Sequence, residues 1–327
     1  MDATVTTERA ERSRFDLGEF LQRFASVGIL VILLVAASLM SDRFFSVGNL
    51  LNVLRQISGS GIIAVGMLYV ILTGGIDLSV GSVAALASVL VAVFLGTNTQ
   101  GVSIGYVLLV GAACGVFSGL LIAYLRIPAF VMTLAVMSIA RGLAQIASAG
   151  RPIIVEGEPA LVTRFGAGFT LRVPNPVWLL VGVFVVAGIV LAFTRFGRLV
   201  KAIGSNAEAV RLSGIHVPRY LVAVYLISGI CAAVAGIIST SRTGVGSATV
   251  GAGAELVAIA AVVIGGASLS GGRGGVINTF IGVLVLGVIN NIQNLVGVPG
   301  FYQDVVMGAI IIIAVLLQQG TSYMQRR

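Results

Sequence analysis

The chain has 327 residues, of which 57% are hydrophobic and only 10% are charged. A water-soluble fold of this composition could not cover itself with polar surface, so the sequence predicts an all-α, polytopic integral membrane protein whose main solvent is lipid. The net charge of +8 does not indicate a nucleic-acid partner, because the basic residues lie in loops between apolar runs, where orientation in the membrane accounts for them.

Ten apolar runs are candidate membrane spans when the chain is scanned with a window of about 19 residues. They cover residues 24–41, 58–73, 79–96, 103–125, 127–147, 177–194, 220–240, 253–267, 276–296 and 302–318. The sequence therefore predicts about ten transmembrane helices. The second and eighth runs are short for a hydrocarbon core about 30 Å thick, so eight or nine spans with a re-entrant element remain an alternative.

The basic residues predict which loops lie in the cytoplasm, because positively charged loops stay on that side. With the N-terminus inside, thirteen of the 20 lysines and arginines fall in inner segments and six in outer segments. Both termini are therefore predicted to be cytoplasmic. The resulting division is an uncleaved N-terminal tail over 1–23, a transmembrane domain over 24–318 and a C-terminal tail over 319–327.

The segment 72–82, LTGGIDLSVGS, interrupts the apolar pattern. Gly74 and Gly75 are expected to end one helix, and Asp77 and Ser79 are candidate N-caps for a helix that includes Gly81. Helix breaks at membrane depth occur where they line a cavity or are buried in protein. A tight cytoplasmic turn is the equal alternative, and in both cases Asp77 is predicted to be structural.

The longest outer connection, residues 148–176, carries four prolines and the acidic pair Glu156 and Glu158. We expect it to be a docking surface for a partner on that side, with a solvated connector as the alternative.

The loop 195–220 is a basic island between two apolar runs, and it contains Lys201, the only lysine of the chain. Within it, Asn206–Leu212 is predicted to form a short helix with Asn206 as its N-cap. A short helix held outside the bilayer by two flanking spans is suited to contact with a soluble protein.

Residues 265–272, GGASLSGG, repeat the GG-x-x-LS-x-G spacing of residues 74–81. The match would fit an internally duplicated transporter, although chance is the other explanation in a chain with 43 glycines. The string LSGGR at 269–273 is not a nucleotide site by itself, because no G-x-x-x-x-G precedes Lys201. No nucleophile, acid or metal-ligand cluster accompanies His216, so no catalytic residue, no metal site and no enzyme activity are predicted.

Four amide side chains cluster at the outer end of the ninth run: Asn290, Asn291, Gln293 and Asn294. Unpaired amides are costly in lipid, so they should face a neighbouring helix or a wet cavity. The first alternative predicts helix-to-helix hydrogen bonds, and the second predicts a translocation path for a neutral polyhydroxy ligand. Arg141, Glu255 and Asp304 are the ionisable groups nearest the membrane interior, and each should find a partner or an interface.

Five ordered motifs together carry a family resemblance: VILTGGIDLSVGS at 70–82, GSNAEA at 204–209, RLSGI at 211–215, ELVAIAAVVIGG at 255–266 and NNIQN at 290–294. Over residues 44–317 the chain resembles the ribose permease class of bacterial ATP-binding-cassette importers. The resemblance implies a homodimeric permease of the inner membrane, surrounded by lipid, that imports ribose or a similar monosaccharide. It also implies a cytoplasmic ATPase subunit, which uses ATP and magnesium, and a periplasmic sugar-binding protein, with no cofactor bound by this chain.

The resemblance also assigns roles to residues. It implies that residues 204–214 hold the coupling helix that docks into the ATPase, through Gly204, Asn206, Ala207, Glu208, Ala209, Arg211, Leu212, Ser213 and Gly214. Residues 74–82 resemble the family's characteristic helix break. Asp304 departs from the uncharged residue expected there, so xylose, another aldopentose, a hexose, inositol or a signalling sugar derivative are also open as substrates. The alternative function is an ion-coupled secondary transporter of a small polar solute, with Asp77, Glu255 or Asp304 as the coupling carboxylate.

Overall fold

The computed structural model of the chain describes residues 17–155 and 161–324. Glu156, Glu158 and the outermost parts of both predicted tails, residues 1–16 and 325–327, lie outside the described residues. The helices are α1 (Leu17–Met40), α2 (Val47–Leu72), α3 (Val80–Leu95), α4 (Gln100–Tyr124), α5 (Ala129–Ala147), α6 (Leu161–Ala167), α7 (Asn175–Phe193), α8 (Arg195–Leu212), α9 (Val217–Thr243), α10 (Ala254–Ile264), α11 (Val276–Val296) and α12 (Gly300–Met324). Four two-residue strands complete the elements: β1 (Ile153–Ile154), β2 (Phe169–Thr170), β3 (Val173–Pro174) and β4 (Val245–Gly246).

Most of these helices are apolar. Six of the described helices, α2, α4, α5, α7, α9 and α11, are long and apolar enough to cross a membrane. Shorter apolar helical stretches occur at Ser26–Met40, Val80–Leu95, Ala254–Ile264 and Gly300–Ile313. Every predicted apolar run therefore contains a helix, and the prediction of an all-α integral membrane protein is confirmed.

Several helix boundaries differ from the predictions, most clearly those of α2, α1 and α12, the last of which ends at Met324 inside the predicted C-terminal tail. Helix α2 begins at Val47 rather than at residue 58, so the second run is not short. Its N-terminus is capped by Ser46, whose side-chain oxygen accepts a hydrogen bond from the amide of Asn49 at 3.3 Å. Helix α1 begins at Leu17, inside the predicted tail.

The outer connection is more ordered than a plain connector. It contains α6 and two small antiparallel pairings, β2 with β3 and β1 with β4. Ile153 lies opposite Gly246, so the connection is joined to the segment that follows α9.

Small residues bring α4 and α9 together. Gly111, Gly115 and Gly119 follow one another at intervals of four along α4, and each lies against the backbone of α9. Added Cβ atoms would collide with the carbonyl oxygens of Tyr225 and Gly229. Membrane helices use small residues in this way because lipid supplies no hydrophobic force between helices, and close packing replaces it.

The segment between α9 and α10 is re-entrant. Gly246 packs against Ser88 of α3, whereas Gly251 packs against Gly81, two turns nearer the start of that helix. Seven residues of helix correspond to about 10 Å at 1.5 Å each, so the chain descends by that distance before α10 begins. With 11 residues, α10 spans about half of a bilayer. The eighth predicted run is therefore a half-helix preceded by a re-entrant segment.

Candidate functional site

The predicted capped helix is present at the C-terminal end of α8. The backbone of Asn206 is extended (φ −160°, ψ 92°), which divides α8 into two helical parts. The Asn206 side-chain oxygen accepts a hydrogen bond from the amide of Ala209 at 2.9 Å, which is N-cap geometry. At the other end, the Ser213 hydroxyl donates to the carbonyl of Ala209 at 2.9 Å, and Gly214 takes a positive φ of 79°.

One face of this helix is anchored and the other is open. Val210 is buried against Ile203 and Val217, which holds the helix on the rest of the protein. On the open side, Leu212 is 74% exposed.

The open face is also charged. Arg211 donates through Nε to the carboxylate of Glu208 at 2.8 Å. This hydrogen bond is the main reason that the pKa of Glu208 is lowered from its ordinary value. Beside the pair, a groove of about 510 Å³ separates the helix from the end of α4, with Arg126 and Ala207 on its walls. Together, Ala207, Glu208, Ala209, Arg211, Leu212 and Ser213 form a compact exposed surface, which we call the coupling surface.

The helical part that precedes Asn206 touches both glycine-rich turns. Gly204 lies so close to the carbonyl of Leu72 and the amide of Gly272 that an added Cβ would overlap both. The Gly272 amide in turn donates a hydrogen bond to the Leu72 carbonyl at 3.0 Å. A displacement of α8 would therefore displace the C-terminus of α2 and the loop before α11, which it contacts directly. We call this contact of α8 with the two turns the glycine junction.

Helix α2 ends just before Gly74 and Gly75, as predicted for the break between α2 and α3. Gly74 adopts a φ of 81°, and the amide of Gly75 donates to the Val70 carbonyl at 3.1 Å, as in a Schellman motif. Asp77 then accepts hydrogen bonds from the amide of Ser79 at 2.9 Å and from its hydroxyl at 2.6 Å. Ser79 occupies the N-cap position of α3, as predicted, but its side chain makes no capping bond, because its hydroxyl donates to Asp77.

Asp77 also joins the break to α9. The Ser228 hydroxyl donates to its second carboxylate oxygen at 2.7 Å, and Asp77 is 2% exposed. A buried carboxylate is tolerated where hydrogen bonds satisfy it. Its contacts are those of a structural residue, as predicted.

The second glycine-rich turn is built in the same way. Gly266 adopts a φ of 80°, and the amide of Ala267 donates to the Val262 carbonyl at 3.1 Å. The Ser268 hydroxyl accepts from the amide of Ser270 at 3.3 Å, as Asp77 accepts from Ser79. These side-chain hydrogen bonds follow the predicted alignment, whereas the positive φ falls one residue later in the second turn, at Gly266 and not at Gly265.

The amide cluster forms hydrogen bonds between helices. Asn291 of α11 and Asn49 of α2 exchange two hydrogen bonds of 2.8 and 2.9 Å. Asn290 accepts from Gln56 at 2.7 Å and from Asn294 at 3.0 Å, and it donates to Gln303 of α12 at 3.3 Å. Gln293 is half-buried and makes no side-chain hydrogen bond among the described residues. The cavity beside Asn290 is small, at about 130 Å³.

Residues 49–315 match the family described as "Branched-chain amino acid transport system / permease component". The chain belongs to this permease family. It is 42% identical to the ribose import permease protein of Haemophilus influenzae, over 94% of this chain and 96% of that protein. The ribose import permease proteins of Escherichia coli and Bacillus subtilis are 41% and 43% identical, each over 96% of this chain and 98% of their own lengths.

The L-arabinose transport system permease protein of Escherichia coli is 37% identical, over 95% of this chain and 94% of its own length. No solved structure matches this permease. The family resemblance inferred from the five motifs is confirmed.

In this permease, Arg141 pins the re-entrant segment to α5. Its Nη1 donates hydrogen bonds to the carbonyls of Ala248 and Val250, the second at 2.9 Å. Asp304 is exposed on α12. Sequence reasoning predicted that Arg141 needs a partner but could not find it, because its partners are backbone carbonyls more than a hundred residues away along the chain.

Proposed function

We propose that this chain is the membrane-spanning permease subunit of an ATP-binding-cassette importer that moves ribose or a similar monosaccharide across the bacterial inner membrane. The observation that carries the proposal is the near-full-length identity with ribose import permease proteins from three bacteria. An L-arabinose permease is similar at lower identity. The common substrate class is therefore an aldopentose.

In the proposed topology, ten helices enter or cross the membrane and both termini are cytoplasmic. Two sets of contacts support a chain that runs back and forth between the two sides of the membrane. The glycine junction places the α2–α3 break, α8 and the loop before α11 at one end of the molecule. The pairing of Ile153 with Gly246 places the outer connection and the end of α9 at the other. The end with the junction carries the basic loop 195–220, as expected for the cytoplasmic side.

The coupling surface is the proposed docking site for the ATPase subunit. ATP and magnesium belong to that subunit, and two copies of the permease are expected to pair in the lipid bilayer. Closure of the ATPase units would push on α8, and the glycine junction would pass the displacement to the α2–α3 break. Such packed contacts switch between discrete arrangements and can convert a small push into alternating access.

The outer connection is the proposed docking surface for the sugar-binding protein. Its pairing of β1 with β4 continues directly into the re-entrant segment. The Arg55 guanidinium lies over the Phe169 ring at 5.2 Å, which holds the β2–β3 turn on α2. A partner that presses on this surface would therefore act on both α2 and the re-entrant segment.

Reconstitution tests the function. The chain is placed in liposomes with a partner ATPase subunit and a periplasmic sugar-binding protein, and uptake of radiolabelled ribose and arabinose is measured. We expect uptake that requires ATP, magnesium and the binding protein together. Absence of uptake for every monosaccharide tried would contradict the proposal.

The ion-coupled alternative has a separate test. A secondary transporter moves its solute without other subunits, so the chain alone would accumulate ribose in liposomes under a pH gradient. We expect no accumulation there. The similar proteins are named as permease components and give the alternative no support.

The docking assignment predicts the effect of charge on the coupling surface. Ala209→Glu places a bulky charge on its exposed face, and we expect ATP-dependent ribose uptake to fall about tenfold or more, a loss of about 1.4 kcal/mol in coupling. Asn98→Glu, on an exposed turn at the other end of the molecule, is the control and should retain uptake. Equal uptake by the two variants would refute the assignment.

A further inference from the structure

An open groove of about 590 Å³ runs along α5 beside α3 and the start of α10. This volume lies within the range of about 300–1,000 Å³ that is usual for small-molecule sites. It exceeds the cavity at the amide cluster more than fourfold. Six polar side chains contribute to its walls: Ser82, Ser138, Arg141, Gln145, Thr249 and Glu255. We call it the α5 groove.

The groove reaches from the outer end of α5 to the middle of the molecule. Gln145 lies near the outer end, whereas Ser82 and Glu255 stand in the first turns of α3 and α10, where Gly81 and Gly251 touch. Below them α5 packs against the α2–α3 break. There Thr133 is fully buried, and its hydroxyl, which donates to the Ala129 carbonyl at 2.9 Å, lies 3.3 Å from the Ile76 carbonyl. The structure therefore has an open outer half and a closed inner half along this helix.

Of the two charged side chains in the groove, Glu255 is the one without a partner in the described part of the chain. It is half-buried, and among the described residues it makes no hydrogen bond and no ion pair. It attracts Arg141 only at longer range. An ionisable residue at membrane depth is costly unless it is paired or serves a function. Arg141 uses Nη1 to hold the re-entrant segment, so its role there is to position the wall of the groove.

The charges in the groove select a class of ligand. A solute with a single charge would be attracted by one of Arg141 and Glu255 and repelled by the other, whereas a neutral solute with several hydroxyls can hydrogen-bond to both without repulsion. A carboxylate can accept hydrogen bonds from two hydroxyls at once, and the serine and amide side chains offer both donors and acceptors.

We propose that the α5 groove is the outer half of the sugar path and that the Glu255 carboxylate accepts hydrogen bonds from hydroxyls of the passing monosaccharide. This inference rests on the proposed function and names its site. The floor of the groove belongs to the α2–α3 break, which the glycine junction connects to α8. Movement of the coupling surface would thus open the closed inner half. The amide cluster then lies beside the path, where its hydrogen bonds hold neighbouring helices together.

Thiol labelling with ribose as the probe tests the site. Ser138→Cys is introduced into the full importer in liposomes, and its reaction with a membrane-impermeant methanethiosulfonate from the outside is timed. We expect labelling that excess ribose slows at least fivefold. Ile139→Cys, on the neighbouring residue that does not line the groove and is 55% exposed, is the matched control. The wild-type chain, with Cys114 half-buried and Cys231 buried, supplies the blank.

Glu255→Gln then tests the carboxylate. In the Ser138→Cys background it should remove ribose protection while the labelling rate without ribose stays within twofold, which shows that the groove is intact. Ribose uptake should fall about tenfold. Asp42→Asn, at an exposed carboxylate outside the groove, should keep full protection.

Three results would overturn the inference: an unreactive Ser138→Cys, labelling that ribose does not slow, or protection that survives Glu255→Gln. A slower reaction of the double variant without ribose would assign Glu255 to packing and would overturn it as well. Failure of the proposed function is recognised separately, because the wild-type importer would then show no ATP-dependent ribose uptake.

Discussion

Single glycines decide how closely some segments of this permease can pack. The motif containing Gly204 resembles a coupling segment, and the structure explains the residue type: an added Cβ would overlap the carbonyl of Leu72. Gly81 and Gly251 are in a similar position, since each would place a Cβ against the other's backbone. Backbone atoms at such contacts cannot move aside as flexible side chains can. These glycines therefore serve contact between segments and not local flexibility.

Gly204→Val should destabilise the permease by about 1–3 kcal/mol, because the added methyl groups force the α8 backbone away from α2. The measurement is the melting temperature of the purified chain in detergent. Gly182→Val in α7 is the control, since no atom lies within 4 Å of an added Cβ there. If the two variants had the same melting temperature, the glycine junction would not be tightly packed in solution.

Helix α2 shows how an element depends on its partners. Its first turns carry Asn49, Arg55 and Gln56. These polar residues lower the mean hydropathy there, so the start of the helix at Val47 was not predicted. Asn49 and Gln56 are bonded to Asn291 and Asn290 of α11. The polar residues of one helix are thus satisfied by those of another.

The Asn49–Asn291 pair should stabilise the packing of α2 on α11. In a double-mutant cycle with Asn49→Leu and Asn291→Leu, we expect a coupling energy of about 0.6–1.7 kcal/mol, the range for hydrogen bonds between membrane helices. Unfolding in detergent gives the free energy of unfolding of the wild type, the two single variants and the double variant. Additive single effects would show that the two bonds contribute nothing to the helix pair.

At the scale of the whole molecule, the long-range contacts between connecting segments are grouped at two opposite ends. The glycine junction joins segments that are far apart in the chain at one end, and the β1–β4 pairing joins others at the opposite end. The α5 groove lies between these ends and is closed on the side of the junction. This arrangement suits a subunit that receives sugar at one end and a mechanical push at the other.

Labelling in cells tests the orientation. In spheroplasts that express the chain without its ATPase, Asn98→Cys should react with an impermeant maleimide from the outside. Leu212→Cys should react only after the membrane is permeabilised, because the coupling surface is cytoplasmic in the proposed topology. The opposite pattern would invert the topology and remove the ATPase docking assignment.

Much of the candidate site followed from local chemistry. The Asn206 cap and the Schellman ending at Gly74 were predicted because each rests on groups within a few residues of one another. Ser79 occupies the predicted N-cap position, but its hydroxyl donates to the Asp77 carboxylate and caps no amide, a pairing that the order of the two residues does not mark. The α5 groove was missed entirely, since its walls come from three distant segments.

The sequence by itself determined the membrane class, the ten apolar helices and the capped helix at Asn206–Leu212, because composition and short-range hydrogen bonding suffice for these. Only the tertiary structure decided that the segment before α10 re-enters the protein and that Arg141 holds it there. The carbonyl that Arg141 contacts at Ala248 is 107 residues away. A backbone carbonyl is the same group at every residue, so no pattern in the sequence marks which one an arginine will meet.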